Sequence, residues 1–240
     1  RILMDEITLG EITIEVELKD IKNIHPSVYP PKGRVRIAAP SRMNLDTIRI
    51  YAISKLGWIK KQQKKFQAQV REAPREYLTK EGHYFLGNRY LLKVIEHDAP
   101  PKVAIQHKTI QMYVRPGTDL LKKQTIIESW HRAQLKELII PLITKWEQKI
   151  GVSVNEVAIK KMKTKWGTCN REASRIWLNL ELAKKPIQCI EYIVVHEMVH
   201  LLERNHNEKF ITYMNHYLPE WKEVRKELNR LPVSHREWGY

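Results

Sequence analysis

Ile12, Ile14, Val16 and Leu18 alternate with Thr13, Glu15, Glu17 and Lys19, a period of two that predicts a strand with one buried face, entered from a turn at Gly10. The cluster Tyr29-Pro30-Pro31-Lys32-Gly33 leads into a second such stretch at 34–39, and Leu86-Gly87-Asn88-Arg89 separates Tyr84-Phe85 from an apolar run at 90–95. These patterns predict hairpins. Between them Leu45, Ile48, Ala52, Ile53, Leu56, Ile59 and Phe66 recur at helical spacing over 44–70, with Lys60, Lys61, Lys64 and Lys65 on the later half. After Pro116-Gly117 the period changes. Residues 119–150 read as one long helix with Asp119 as N-cap, a kink at Pro141 and a stop at Gly151. Strands follow at 157–162 and 176–182, then helices at 187–204, 207–217 and 220–231. No internal repeat shows in the sequence. Strands followed by helices predict an α+β fold, with a β-rich N-terminal region over 1–118 that carries one helical insertion and a second domain over 119–240.

With 240 residues and 42% apolar side chains, the chain can bury a core. No apolar run approaches the roughly 18 residues that a membrane crossing needs, so no membrane association is expected. The first six residues lack the features of a signal peptide, and two cysteines, Cys169 and Cys189, fit a reducing compartment; a cytoplasmic location is the expectation. A net charge of +15 predicts either an anionic partner or simply a well-solvated basic surface. Trp58 and Phe66 lie among the lysines of the 44–70 helix, and Arg34 and Arg36 occupy a nearby strand. Together they outline a surface for weak, salt-dependent contact with nucleic acid or nucleotide.

The chemistry is concentrated in His196-Glu197-Met198-Val199-His200. On a helix, residues four apart are offset by about 40° and about 6 Å, so both imidazoles can reach one metal ion while Glu197 stands beside them. A metal held by neutral imidazoles lowers the pKa of its water to about 7, and an adjacent carboxylate can take that proton and pass it to a leaving group. Ile190, Val194, Val195, Met198, Leu201 and Leu202 make the rest of the helix apolar, which leaves His196, Glu197 and His200 as a narrow polar stripe. Glu203 lies too far along the axis to complete the site. His206 serves better: if the helix ends near Arg204 with Asn205 in a left-handed conformation, the chain folds back toward the metal, anchored by Phe210. Glu220 and Glu223 are rival third ligands, and His216 is expected at the surface or behind the ligands. Tyr213, His216 and Arg175 are all candidates for stabilising an oxyanion.

Lys165-Trp166-Gly167-Thr168-Cys169, Arg175-Ile176-Trp177-Leu178-Asn179-Leu180, Pro186, the block from Tyr192 to Leu201, Asn205-His206 with Phe210, and Pro219-x-Trp221 resemble the YgjP-like metallopeptidase family. The resemblance is specific over 155–230, with Thr168 in place of a more usual Ser. It implies a zincin-like catalytic half, zinc as the metal, protein or peptide as substrate, and distant similarity to SprT-type proteases that act on DNA-bound proteins. The expected arrangement has His196, His200 and His206 as zinc ligands and Glu197 as general base toward a metal-bound water that attacks a peptide bond. Trp166, Gly167 and Asn179 are the expected substrate-binding residues, with an extended substrate pairing along the strand at 176–182 and Trp166 as a wall of the cleft. Cys169 is either a packing group or a thiol that approaches the metal. Two other readings stand beside this one: hydrolysis of a nucleotide phosphoanhydride, and nucleic-acid binding with a structural zinc.

Overall fold

The computed structural model describes residues 5–30, 32–68, 75–163 and 165–231. Pro31, Gln69 and Val70 of the predicted elements, and residues 1–4 of the leader reading, lie outside these. The fold is α+β, as the periodicities predict. The chain divides between Glu72 and Ala73 into two compact units.

The first unit holds β1 (Asp5–Leu9), β2 (Ile12–Lys19), β3 (His25–Tyr29), β4 (Arg34–Pro40) and helix α1 (Leu45–Ala68). Its sheet runs in the order β1-β2-β4-β3, with β2 and β4 parallel and the outer pairs antiparallel. The alternation along β2 puts Ile12, Ile14 and Val16 on one face. With Val35 and Ile37 they form a core closed by Ile48, Ala52 and Ile59 of α1.

The second unit begins with β5 (Gly82–Phe85), β6 (Asn88–Glu96), β7 (Lys102–Gln106) and β8 (Thr109–Val114), followed by α2 (Leu120–Ile150). The order is β5-β6-β8-β7, again with a parallel central pair and antiparallel outer pairs. The two units therefore start with the same ββββα module. The likeness extends to the helix entries. Met43 N–H donates to Pro40 O and Thr47 N–H to Asn44 Oδ1 in one, and Thr118 N–H donates to Arg115 O and Lys122 N–H to Asp119 Oδ1 in the other. Eight residues past each N-cap, Ala52 and Ile127 are both buried against their sheet. This repeat of topology is one that the sequence does not display.

The boundary expected near residue 118 falls inside the second unit, for a physical reason. Ile127 of α2 packs on Leu92, Ile110 and Met112 of the sheet, while Leu135, Ile139, Ile143, Trp146 and Ile150 farther along the same helix join a different core. That core collects β9 (Glu156–Lys160), β10 (Gly167–Asn170), β11 (Arg175–Asn179), a 3-10 turn (Leu180–Lys184), α3 (Ile187–Val199), α4 (Glu208–Tyr217) and α5 (Trp221–Arg230). One helix is the spine of both. The β5–β6 turn adds backbone bonds, from Leu86 N–H to Ala183 O and from Gly87 N–H to Lys184 O, just ahead of α3. Helix α2 has Asp119 as its N-cap, runs through Pro141 and ends at Gly151 in the left-handed conformation, φ 76°. The predicted strand at 176–182 stops at Asn179, and its last residues belong to the 3-10 turn.

The spine carries a buried histidine with a measurable consequence. His131 stacks near Phe85 and Trp130, its Nε2 has no hydrogen-bond partner, and burial holds its pKa down to about 3. The unfolded chain protonates this group near 6.5, so between 6.5 and 3 the unfolded state binds the extra proton. The stabilisation is complete above pH 6.5 and is lost as pH falls, at up to about 1.4 kcal/mol per pH unit within that window. His131→Leu should flatten this dependence. Urea midpoints at pH 7 and pH 5 check it; an equal loss in both proteins would assign the acid sensitivity elsewhere. His83, held near 4 chiefly by burial, leaves a residual slope in both.

Candidate metal centre

Helix α3 is apolar on almost every side: Ile190, Ile193, Val194, Val195, Met198 and Val199 are all buried. Glu197 is carried in with them, at 6% exposure. The helix ends at Val199, earlier than the predicted 204. Leu201 N–H donates to Met198 O and Leu202 N–H to Val199 O, i→i+3 bonds that tighten and close the last turn. Asn205 is not among the left-handed positions, so the chain reverses through this tightened turn without the predicted αL residue. Glu203 steadies the reversal, its Oε1 accepting from Asn205 N–H at 3.2 Å.

The reversal delivers His206. Its Nε2 stands 3.0 Å from His196 Nε2 and 3.1 Å from His200 Nε2. Among the described residues these three histidines form the one group of at least three ligating side chains whose donor atoms converge, all within 4.8 Å. Phe210, 2% exposed and anchored by its N–H to the Asn207 side chain, backs all three rings at centroid distances of 4.7 to 5.0 Å.

The donor set fits a cation. His200 Nδ1 lies 3.0 Å from Glu203 O, which assigns its proton to Nδ1 and leaves an Nε2 lone pair facing inward. Burial, reinforced by the neighbouring His200 and His206, holds His196 down to about 3, and burial also lowers His200. The three rings point their Nε2 atoms at one spot. Tetrahedral zinc ligands at about 2.0–2.1 Å stand about 3.3 Å apart, close to the observed spacing. Burial pushes Glu197 up to about 8, partly offset by Lys165; a cation at the histidine apex acts in the same direction as Lys165 and favours the carboxylate.

The remaining predicted residues separate. Gly167 lies directly against Glu197: a Cβ built on it would sit 2.7 Å from Glu197 Cγ and 2.8 Å from Oε1. Trp166 is half-buried, with its carbonyl bonded by Asn179 N–H and Lys185 Nζ over its ring at 5.6 Å. Asn179 does not face outward. It is 3% exposed, its Nδ2 donates to Met162 O and Lys165 O, and its Oδ1 accepts from Glu181 N–H, so it ties down the chain before Trp166. The strand at 176–182 lacks a free edge for the expected substrate pairing. The sheet order is β10-β11-β9, so β11 has partners on both sides and β10 is the edge beside Glu197.

Glu220 begins α5, and Glu223 is exposed and paired with Lys226 at 2.8 Å; neither joins the histidine group. His216 is exposed against Tyr217. Arg175 is engaged with Glu156 and the Trp177 ring, and Tyr213 with Tyr217. Burial, with Glu197 nearby, raises the Cys169 thiol to about 11, which favours the packing role. Two contributors escaped the sequence reading: the Glu203 carbonyl, and Tyr192, whose ring stacks on Trp221 and meets His196 edge-on. Their signal was spacing alone, three residues after His200 and four before His196.

Three imidazoles converge from one helix and the turn after it beside a buried Glu, a donor set able to hold one metal ion. The profile of the YgjP-like, metallopeptidase domain matches residues 24–231, and the chain belongs to that family. No curated protein matches the chain. Six solved chains match, among them the metallopeptidase zymogen abylysin of Pyrococcus abyssi, at 21% identity and TM-score 0.35 over 40% of this chain and 99% of that one. Another is the metallopeptidase zymogen jannalysin of Methanocaldococcus jannaschii, at 24% identity and TM-score 0.30 over 41% and 92%. No described helix is long and apolar enough to cross a membrane.

Proposed function

We propose that this metallopeptidase-family chain is a zinc-dependent peptidase with His196, His200 and His206 as ligands through Nε2 and Glu197 as the general base. The observation that carries the reading is the convergence of three inward Nε2 atoms beside a buried carboxylate. A zinc ion held there supplies Lewis acidity toward water and a scissile carbonyl. Glu197 takes the water proton on its carboxylate and returns it to the leaving amine nitrogen. Glu203 O keeps the His200 lone pair turned inward, and Phe210 fixes the three rings. Gly167 allows β10 to lie against Glu197, and the open edge of β10 offers backbone groups to an extended peptide, with Trp166 beside it.

The test is a substrate panel, casein and unstructured peptides against nucleoside triphosphates, with purified zinc-loaded protein and a Glu197→Gln control. Peptide cleavage that depends on Glu197 is the expected result. Phosphate or pyrophosphate release without proteolysis would replace the peptidase with a phosphoanhydride hydrolase. Neither the family nor the site supports the nucleic-acid reading of Lys60, Lys61, Lys64 and Lys65, which lie exposed on α1.

A further inference from the structure

A cleft of about 800 Å³ opens at the far end of β10, and none of the roles above uses it. Two of the segments that line it also build the centre. Cys169 and Asn170 end the strand that starts at Gly167, Arg171 follows them in the turn to β11, and Leu201 and Arg204 belong to the turn between His200 and His206. The cleft is thus joined to the Glu197 side by one edge strand and to the ligands by one loop. We propose that it is a specificity pocket for an acidic side chain of the substrate, gripped by Arg171 and Arg204.

Charge and geometry both point that way. Two guanidinium groups face one carboxylate, Glu172, so the lining carries a net positive charge. Arg171 is held in place by a long contact from Nη2 to Leu202 O, 3.5 Å, which leaves its other N–H groups available for a fork with a carboxylate. Asn170 uses its Oδ1 on Ala173 N–H and keeps its Nδ2 donors. Ser153 and Ser174 add further polar groups to the walls. A strand rises about 3.3 Å per residue, so Cys169 and Asn170 stand about 7 and 10 Å along β10 from Gly167, with Arg171 just past its end. An extended peptide pairing with β10 while its scissile bond faces Glu197 therefore brings a side chain two to four residues away into the cleft. The inference rests on the peptidase reading, because it takes the peptide's path from that site.

The experiment measures binding and cleavage separately. Zinc-loaded Glu197→Gln protein is titrated with fluorescent peptides that carry Glu, Gln or Lys at each of four positions on either side of a fixed central pair. At one position Glu should bind about tenfold tighter than Gln, the difference that about 1.4 kcal/mol of charge-assisted bonding gives. Arg171→Glu with Arg204→Glu should reverse the preference to Lys, with zinc content unchanged. Arg204→Glu alone, at an exposed position, should already weaken it and serves if the double variant misfolds. Indifference to charge at every position, or an acidic preference that survives reversal, overturns the pocket. So does a nucleoside triphosphate that displaces the acidic peptide while uncharged peptides still bind. Acidic preference in binding, with no peptide cleaved by the unsubstituted protein, removes the peptidase reading and leaves the pocket standing.

Discussion

Glu197→Gln is expected to keep about one zinc per chain and to lower peptide cleavage about a hundred- to ten-thousand-fold, the usual contribution of a positioned proton acceptor. His196→Ala or His200→Ala should lose both metal and activity. The distinction follows from the geometry: the imidazoles supply the inward lone pairs, whereas Glu197 stands beside them against β10. His206→Ala should weaken zinc far more than Glu220→Ala or Glu223→Ala, since the two acids lie outside the converging group. Metal analysis after dialysis and a chelator competition read these outcomes without any assay of turnover. Full zinc occupancy after loss of either His196 or His200 would sink the assignment. A chelator ranking that favours Glu220 or Glu223 would move the third ligand to α5.

Gly167→Ala is the second large effect. The added methyl would meet Cγ, Oε1 and Cδ of Glu197 at 2.7, 2.8 and 3.0 Å, closer than carbon contacts allow. The neighbour is buried at 6% exposure, so it cannot swing aside freely, and either β10 or the carboxylate must move. A shift of about 1 Å in a reacting group costs on the order of a hundredfold in rate, and overpacking of this kind costs about 1–3 kcal/mol in stability. Because the atoms the methyl would crowd most belong to Glu197 rather than to a histidine, zinc content should stay near one. Normal kcat with normal stability would show that the strand yields easily and that glycine is dispensable there.

How much of this was legible beforehand depended on the range of the interactions. The two strand faces, the Asp119 cap, the Gly151 stop and the His196–His200 pair are written in residues close in sequence. His206 was reachable because the turn to it spans few residues. The early end of α3 was not, since i→i+3 closure leaves no mark on an apolar run. Asn179 stands among the expected cleft residues, but its partners, Met162 and Lys165, are brought to it only by the fold. The edge position of β10 was hidden likewise, because it depends on β9 pairing in parallel with β11. The boundary near 118 followed a true change of period, but a helix that serves two cores erases it as a boundary.

The paired ββββα modules place different constraints on equivalent hairpin tips. At Gly10 an added Cβ would meet nothing within 4 Å, whereas at Gly87 it would strike Pro186 at 2.8 to 3.2 Å, immediately before the ligand-bearing helix. If the modules descend from one ancestral gene segment, one copy kept a tip that could drift, and the other became a clasp on the start of α3. Selection would then preserve backbone placement at the clasp while letting side chains elsewhere diverge, which is how a duplicated architecture can persist after its sequence kinship has faded.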